Sequence, residues 1–241
     1  MVQSCTMILD IGKTHAKLSL WDAEGSLIAK RVRANVPQQS VGYRALDVQG
    51  IERVVVRGLR EFAALHHIVR MGPVGHRAAA AVIREGRLFC APMDYEDLPA
   101  PRDSEEYAAQ RDMFRETGSP LLPCSLNLGM QLNRLEGIHG AFLDDVTIVP
   151  WPQYWAWRLC GVAATEATSL GCHTDLWRPL TESFGAAGRR AWRHAAGERR
   201  GFALNEWQGA RARRRTLVWL GIAALVGSTI VIGIGNMQAT Q

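Results

Sequence analysis

Residues 6–33 alternate apolar and polar positions in the way that marks half-buried strands. Thr6 to Leu9 is a short apolar run that ends in Asp10-Ile11-Gly12. Leu18 and Leu20 flank Ser19, the turn Asp22-Ala23-Glu24-Gly25 follows, and Ser26 to Val32 continues extended. Gly25 suits the positive φ that a tight turn requires. The pattern predicts three strands joined by short turns.

The period then changes. Ile51, Val54, Val55, Gly58, Leu59, Phe62 and Leu65 recur at helical spacing and predict an amphipathic helix. A short strand over Ile68 to Met71 stops at Gly72-Pro73. Ser104 is placed to cap a helix whose first turn carries Glu105 and Glu106, and which runs to about Gly118. Leu128, Leu132 and Leu135 predict a further helix that closes at Gly137. Val146 to Val149 reads as a strand, and Pro152 opens a helix to Leu159 with Gly161 as its stop. Strands and helices mix with no internal repeat, so the class is α/β.

Thr216 to Gly235 is a 20-residue run without a charge. That length matches a bilayer core of roughly 30 Å at about 1.5 Å per helical residue. Arg211, Arg213, Arg214 and Arg215 precede it and would hold that end in the cytoplasm. The expectation is a single C-terminal transmembrane helix that anchors a cytoplasmic body to the inner membrane. A buried core helix is the competing reading. The organisation expected is a body over 1–184, a basic linker over 185–215, the span over 216–235 and a tail over 236–241.

Charge sharpens this division. Between Gly185 and Arg215 nine arginines face two glutamates, a local +7. Subtracting that from the +5 of the whole chain leaves −2 for the first 184 residues. A body of that charge is no nucleic-acid binder. The five cysteines are odd in number and include no CxxC pair, so they read as small buried hydrophobes of a reduced compartment.

The residues with chemical potential cluster in a few segments. In Ile8 to Asp22, ILDIGKTHAKLSLWD, an apolar strand delivers Asp10 at its end. Gly12 lets backbone pass close to a phosphate, while Lys13, Thr14 and Lys17 supply cations and a hydroxyl. An aspartate so placed can hold Mg²⁺ through water. His76 can hydrogen-bond a hydroxyl through either ring nitrogen, Asp94 and Glu96 can accept from hydroxyls, and Tyr95 can stack on a sugar ring. Taken singly, His76 reads equally as a satisfied half-buried histidine, and Asp94 and Glu96 as a solvated turn.

In their order and spacing these segments resemble the amino-terminal domain of FGGY carbohydrate kinases, over roughly residues 6–184. Asp10, Gly12 and Lys17 match the family's Asp-x-Gly-Thr-x-x-x-Lys loop. Lys13 stands in the threonine position with Thr14 after it, a variant that resembles the rhamnulose- and fuculose-kinase-like subgroup. Gly75-His76-Arg77-Ala78-Ala79 is similar to that subgroup's Gly-His-Gly-Ala-Ala, with Arg77 replacing a glycine. Ala91 to Glu96 resembles its Pro-x-x-Asp-Tyr-Glu element. Pro152 to Gly161 and Thr165 to Trp177 resemble the next two elements, with Glu166, Ser169 and Thr174 at the polar positions. The stretch Glu116 to Leu132 lacks the family's Lys-x-x-Trp and leaves Gln131 as its polar group.

The resemblance implies an actin-like (ribonuclease H-like) ATPase domain, with a mixed sheet that opens in a three-stranded antiparallel meander. It implies ATP-dependent sugar phosphorylation with Mg²⁺. Asp10 would serve the metal; Gly12, Lys13, Thr14 and Lys17 the phosphates; His76, Arg77, Asp94, Tyr95, Glu96 and Gln131 the sugar. The family's catalytic base lies beyond these segments, in a Gly-Asp-Gln-like turn that this sequence does not show, so no catalytic residue is assigned. The expectation is a kinase by descent that is inactive alone and capable of homo-oligomerisation. The alternative is a membrane-tethered, non-catalytic sugar-binding or interaction protein.

Overall fold

The computed structural model describes residues 4–76, 78–140, 146–165 and 167–188, with the backbone of 221–222 and 230–233. The alternation at the start of the chain becomes β1 (Ser4–Ile11), β2 (His15–Trp21) and β3 (Leu27–Ala34). They form an antiparallel meander, with Leu9 opposite Leu18 and Leu18 opposite Arg31. Cys5, Met7, Leu9 and Ile11 of β1 and Ala16, Leu18 and Leu20 of β2 share one buried face. The two-residue strands β4 (Gln38–Gln39) and β5 (Arg44–Ala45) pair with each other.

Helix α1 (Val48–Leu65) starts earlier than its apolar period suggests, because Asp47 caps it by accepting from the Gly50 amide at 2.8 Å. Its buried stripe, with Ile51, Val55 and Phe62, packs on the sheet. Each such side chain stabilises the fold by about 1.5–3 kcal/mol. Gly58 lets the helix close on β2, since a Cβ there would stand 2.7 Å from Leu18 Cδ2. The chain then returns as β6 (His67–Gly75), parallel to β1, and completes a strand–helix–strand crossover.

A second, smaller sheet is formed by β7 (Ala80–Arg84), β8 (Arg87–Cys90) and β9 (Thr147–Pro150), with β7 in the middle. Glu85 and Gly86, both at positive φ, turn the β7–β8 hairpin. The expected helix over 104–118 is two: α2 (Pro101–Gln110) and α3 (Phe114–Thr117). Pro101, with its fixed φ, starts α2 ahead of Ser104, which lies inside the helix. Helices α4 (Leu128–His139), α5 (Trp151–Cys160) and α6 (Ala167–Leu170) follow, then the strand pair β10 (Trp177–Arg178) and β11 (Ser183–Phe184).

One core lies between the large sheet, α1 and α5; the other gathers the small sheet, α4 and residues 170–187. Two buried carboxylates tie residues 175–186 to α2 and the turn after it. Asp175 accepts from Tyr107 Oη at 2.6 Å and pairs with Arg111, also at 2.6 Å. Asp112 takes a two-pronged bond from Arg178 and accepts from the Ala186 amide at 2.8 Å.

The transmembrane expectation meets a different structure at the six described positions of 216–235. Gly221–Ile222 forms β12 and Ile230–Gly233 forms β13, and β13 pairs antiparallel with the edge of β6. The large sheet thus runs β12-β13-β6-β1-β2-β3. Ile230 and Val231 are β-branched and pair with β12, while Ile232 and Gly233 find backbone partners in Met71 and Arg70 on the edge of β6. No helix among the described residues is long and apolar enough to cross a membrane. The remaining positions of 216–235 lie outside the described residues.

Candidate functional site

The parallel strands β1 and β6 end side by side, with Asp10 opposite Val74 and Ile11 opposite Gly75. The turn 12–14 and His76 therefore leave the same sheet edge, the place where ligands bind in open α/β sheets. Gly75 permits this closeness. A Cβ there would sit 3.1 Å from Trp151 Cδ1 and 3.2 Å from the Ile11 carbonyl. Trp151 locks the arrangement by donating Nε1–H to Ile11 O at 3.1 Å.

A second segment reaches this edge from the small sheet. Ala45 bridges to Met93, and the Asp94 amide donates to Arg44 O at 2.8 Å. Asp94 is fully buried and organises its own turn: Oδ1 accepts from the Glu96 amide at 3.0 Å, and its carbonyl accepts from the Asp97 amide at 2.9 Å. Asp97 is held in turn by Arg134 at 2.7 Å.

Lys13, expected on the phosphates, points instead into this turn. Its Nζ lies 3.1 Å from Asp94 Oδ1, pairs with Glu96, and sits 5.0 Å from the centre of the Tyr95 ring. Burial works against its charge, but the bonds to Glu96 and Asp94 outweigh that and raise its pKa above the ordinary lysine value. Arg44 approaches from the other side, with Nε 2.8 Å from Asp94 Oδ2. That contact is an ion pair without an aligned hydrogen bond, so both atoms keep unused hydrogen-bonding capacity.

His76 is enclosed by two rings. Tyr95 meets it edge-on with centroids 5.0 Å apart, and Trp151 lies roughly parallel at 6.3 Å. Burial pushes its pKa down to about 4; Asp94 opposes this and Lys13 adds to it. The imidazole is therefore neutral at pH 7. Both ring nitrogens are buried and neither has a hydrogen-bond partner among the described residues. Buried polar atoms without partners are costly. Here the two His76 nitrogens lie beside the Asp94–Arg44 ion pair, whose Oδ2 and Nε also lack an aligned hydrogen bond. Burial also raises the Tyr95 pKa, against the pull of Lys13.

The turn between β1 and β2 is built firmly. The Gly12 amide donates to His15 O at 2.9 Å, Asn35 Nδ2 donates to Gly12 O at 2.9 Å, and the Asn35 amide donates to Thr14 O at 2.8 Å. The Gly12 N–H is thus spent inside the turn. Asp10 and Lys17 face each other across the hairpin at 3.0 Å, with side chains 43% and 41% exposed. The exposed Thr14 hydroxyl lies 3.2 Å from His15 Nδ1. Among the described residues no group of three or more His, Cys, Asp or Glu side chains is placed to hold a metal ion. A single half-exposed carboxylate beside a lysine suits Mg²⁺ that retains its waters and reaches the protein with phosphates attached.

The remaining expected residues divide. Gln131 is 2% exposed and donates to Ala78 O and Ser125 O, both at 2.6 Å, so its amide hydrogens brace the small sheet against α4. Ser169 accepts from Gln153 Nε2 at 2.9 Å, and Thr174 bonds to Leu170 O and to the Leu176 amide. Both are buried. Arg77 and Glu166 lie outside the described residues. Sequence reasoning missed Arg44, Asn35 and Trp151. Arg44 and Asn35 act across the fold and carry no local signal. Trp151 had one, since Trp151, Tyr154 and Trp155 follow helical spacing and form a ring cluster.

Neither a protein-family model nor a curated protein matches this chain. Solved structures do. A carbohydrate kinase from Novosphingobium aromaticivorans superposes with a TM-score of 0.76 at 39% identity, over 84% of this chain and 42% of its own. Glycerol kinase from Plasmodium falciparum, solved with ADP, superposes with a TM-score of 0.64 at 12% identity, over 76% of this chain and 39% of its own. Ligand-bound xylulose kinase from Lactobacillus acidophilus gives 0.62 at 16% identity, over 75% and 38%. The last two show the fold alone. The mixed α/β architecture is that of these kinases, and the chain spans less than half the length of each.

Proposed function

We propose that this chain is the acceptor-binding lobe of an ATP-dependent carbohydrate kinase of the FGGY type, with the Gly12-Lys13-Thr14 loop of the rhamnulose- and fuculose-kinase-like subgroup. The observation that carries the reading is the pair of His76 ring nitrogens without hydrogen-bond partners among the described residues, beside an Asp94–Arg44 ion pair whose Oδ2 and Nε form no aligned hydrogen bond, at the shared end of β1 and β6. Sugar hydroxyls both donate and accept. A neutral imidazole offers one donor and one acceptor, and Asp94 Oδ2 accepts. The half-buried Tyr95 ring lies beside them, edge-on to His76, and the fully buried Trp151 backs the imidazole. The 39% identity with the Novosphingobium kinase favours a substrate of carbohydrate type.

Asp10, Lys17 and Thr14 belong to the same hairpin as Lys13 but do not share its partners, and they suit Mg²⁺ with nucleotide phosphates. When bound, the metal would neutralise phosphate charge. Asp10 would hold its water shell, Lys17 fixes the Asp10 carboxylate from 3.0 Å, and Thr14 would offer a hydroxyl to a phosphate oxygen. Phosphoryl transfer depends on positioning and charge stabilisation from both sides. These residues provide the acceptor side and one phosphate turn, but no base.

Differential scanning fluorimetry with L-rhamnulose, L-fuculose and D-xylulose tests the reading. A ligand at 100 times its Kd stabilises by about 2.7 kcal/mol. At least one ketose should raise Tm in the wild-type chain and fail to do so in His76→Asn. If none of them shifts Tm at 50 mM, the acceptor-site assignment is wrong.

A further inference from the structure

We infer that Trp151 is a positioning residue of the candidate site: its indole backs His76, its ring N–H is tied to the end of β1, and the two contacts together fix where the imidazole stands. The inference rests on the acceptor-site reading above and adds the residue that holds that site in shape.

Trp151, the first residue of α5, is anchored to three parts of the fold. Its amide donates to Ala79 O at 2.9 Å, next to β7. Its Nε1–H donates at 3.1 Å to the carbonyl of Ile11, the last residue of β1. Its Cδ1 occupies the space that Gly75 of β6 leaves open, since a Cβ on Gly75 would lie 3.1 Å away. Pro150 and Pro152 flank it, and each fixes its own φ. Tyr154 stacks on the indole with centroids 5.6 Å apart, and Trp155 meets it edge-on at 5.3 Å. The side chain is fully buried, so in a close-packed interior the ring has no room to turn.

His76 lacks such anchors. It follows directly on β6, and its ring nitrogens have no hydrogen-bond partner among the described residues. Its ring contacts are with Tyr95, which is half-buried, and with Trp151. The charged groups around it are Lys13 from the β1–β2 turn, Asp94 and Glu96 from the turn after β8, and Arg44 from β5. On the α5 side the wall is apolar, and the cation of that helix, Arg158, pairs with Glu52 of α1. The indole is thus the immobile side of the imidazole's enclosure, and it governs how dry that ring is. Trp155 is the matched comparison. It is buried in the same ring cluster, but its Nε1 has no hydrogen-bond partner among the described residues, and its ring contacts there are with Trp151 and Tyr154.

The test compares Trp151→Phe with Trp155→Phe in the whole chain. Two quantities are read: the titration midpoint of the His76 ring signals by NMR, and the affinity for D-xylulose and L-fuculose by isothermal titration. Both substitutions should lower Tm. Trp151→Phe alone should raise the His76 midpoint by about half a pH unit or more and weaken ketose binding by about fivefold or more. Gly75→Ala keeps the indole and presses a methyl against its Cδ1, so it should shift both quantities in the same direction. Equal changes in Trp151→Phe and Trp155→Phe overturn the inference and leave the acceptor site standing. An unmoved midpoint with unchanged affinity in Trp151→Phe does the same. If Trp151→Phe does not fold, Gly75→Ala decides by the same two readings. If neither ketose binds the wild-type chain, the acceptor-site reading falls and this inference falls with it.

Discussion

His76 ties the candidate site to a measurable pH dependence. Its ring is buried beside Tyr95 and Trp151, and that burial lowers its pKa from 6.5 to about 4. In the unfolded chain the imidazole takes a proton as pH falls below 6.5; in the folded protein it refuses one until about pH 4. The unfolded state thus binds more protons throughout that window, so stability rises with pH between 4 and 6.5 and is level above. The stability is present above 6.5 and lost as pH falls through the folded pKa. At about 1.4 kcal/mol per pH unit, the window is worth about 3 kcal/mol. Urea unfolding at half-unit steps from pH 4 to 7.5, on the wild-type chain and on His76→Gln, isolates this contribution. Carboxylates titrate in both proteins and cancel in the difference. The wild-type chain should lose about 3 kcal/mol more than the variant between pH 7 and pH 4. Two parallel profiles would falsify the burial of a neutral His76 and, with it, the claim that its nitrogens await hydroxyl partners.

Two further perturbations probe the frame around the site. Asp175→Asn removes the charge that Arg111 and Tyr107 surround and leaves a mostly buried guanidinium unpaired, so urea unfolding should show a loss of about 3–5 kcal/mol; a loss under about 1 kcal/mol would mean that Asp175 does not anchor residues 175–186. Gly58→Ala and Gly137→Ala should have opposite signs. The first presses a methyl against Leu18 Cδ2 at 2.7 Å and costs about 1 kcal/mol after the helix-propensity gain. The second meets nothing within 4 Å at an exposed position of α4 and stabilises by roughly 0.5–1 kcal/mol, and equal Tm shifts for the pair would show that α1 does not pack as closely on β2 as described.

The meander, α1, the first part of the return strand β6 and the helix after Pro152 were legible in the order of residues alone, although β6 runs through the expected stop at Gly72-Pro73 to Gly75. Each is signalled by a local period: the buried face Met7-Leu9-Ile11 with Leu18-Leu20, and the stripe Ile51-Val55-Phe62, are repeats of two and of about three and a half positions. The Asp10 loop also stood out by period, whereas the His76 and Asp94 segments were singled out by resemblance, since the strand expected before His76 stopped at Gly72-Pro73 and none was expected before Asp94. Helix boundaries were less so. Asp47 and Pro101 start their helices through hydrogen bonding and fixed φ, which override the first apolar position.

What each polar side chain does was decided only by the tertiary structure. Lys13 and Lys17 are four residues apart on one hairpin, yet Lys13 turns to Asp94 and Glu96 while Lys17 turns to Asp10. Gln131 looked free for a ligand until Ala78 and Ser125 claimed both its hydrogens. Within the apolar run at 216–235, Ile232 and Gly233 take their backbone partners from Met71 and Arg70 of β6, a pairing that no local pattern announces. Local periodicity fixes which face of an element is buried, because burial of apolar area acts residue by residue. Ion pairs and orphaned hydrogen-bonding atoms are set by neighbours distant in the chain, and no local pattern encodes them.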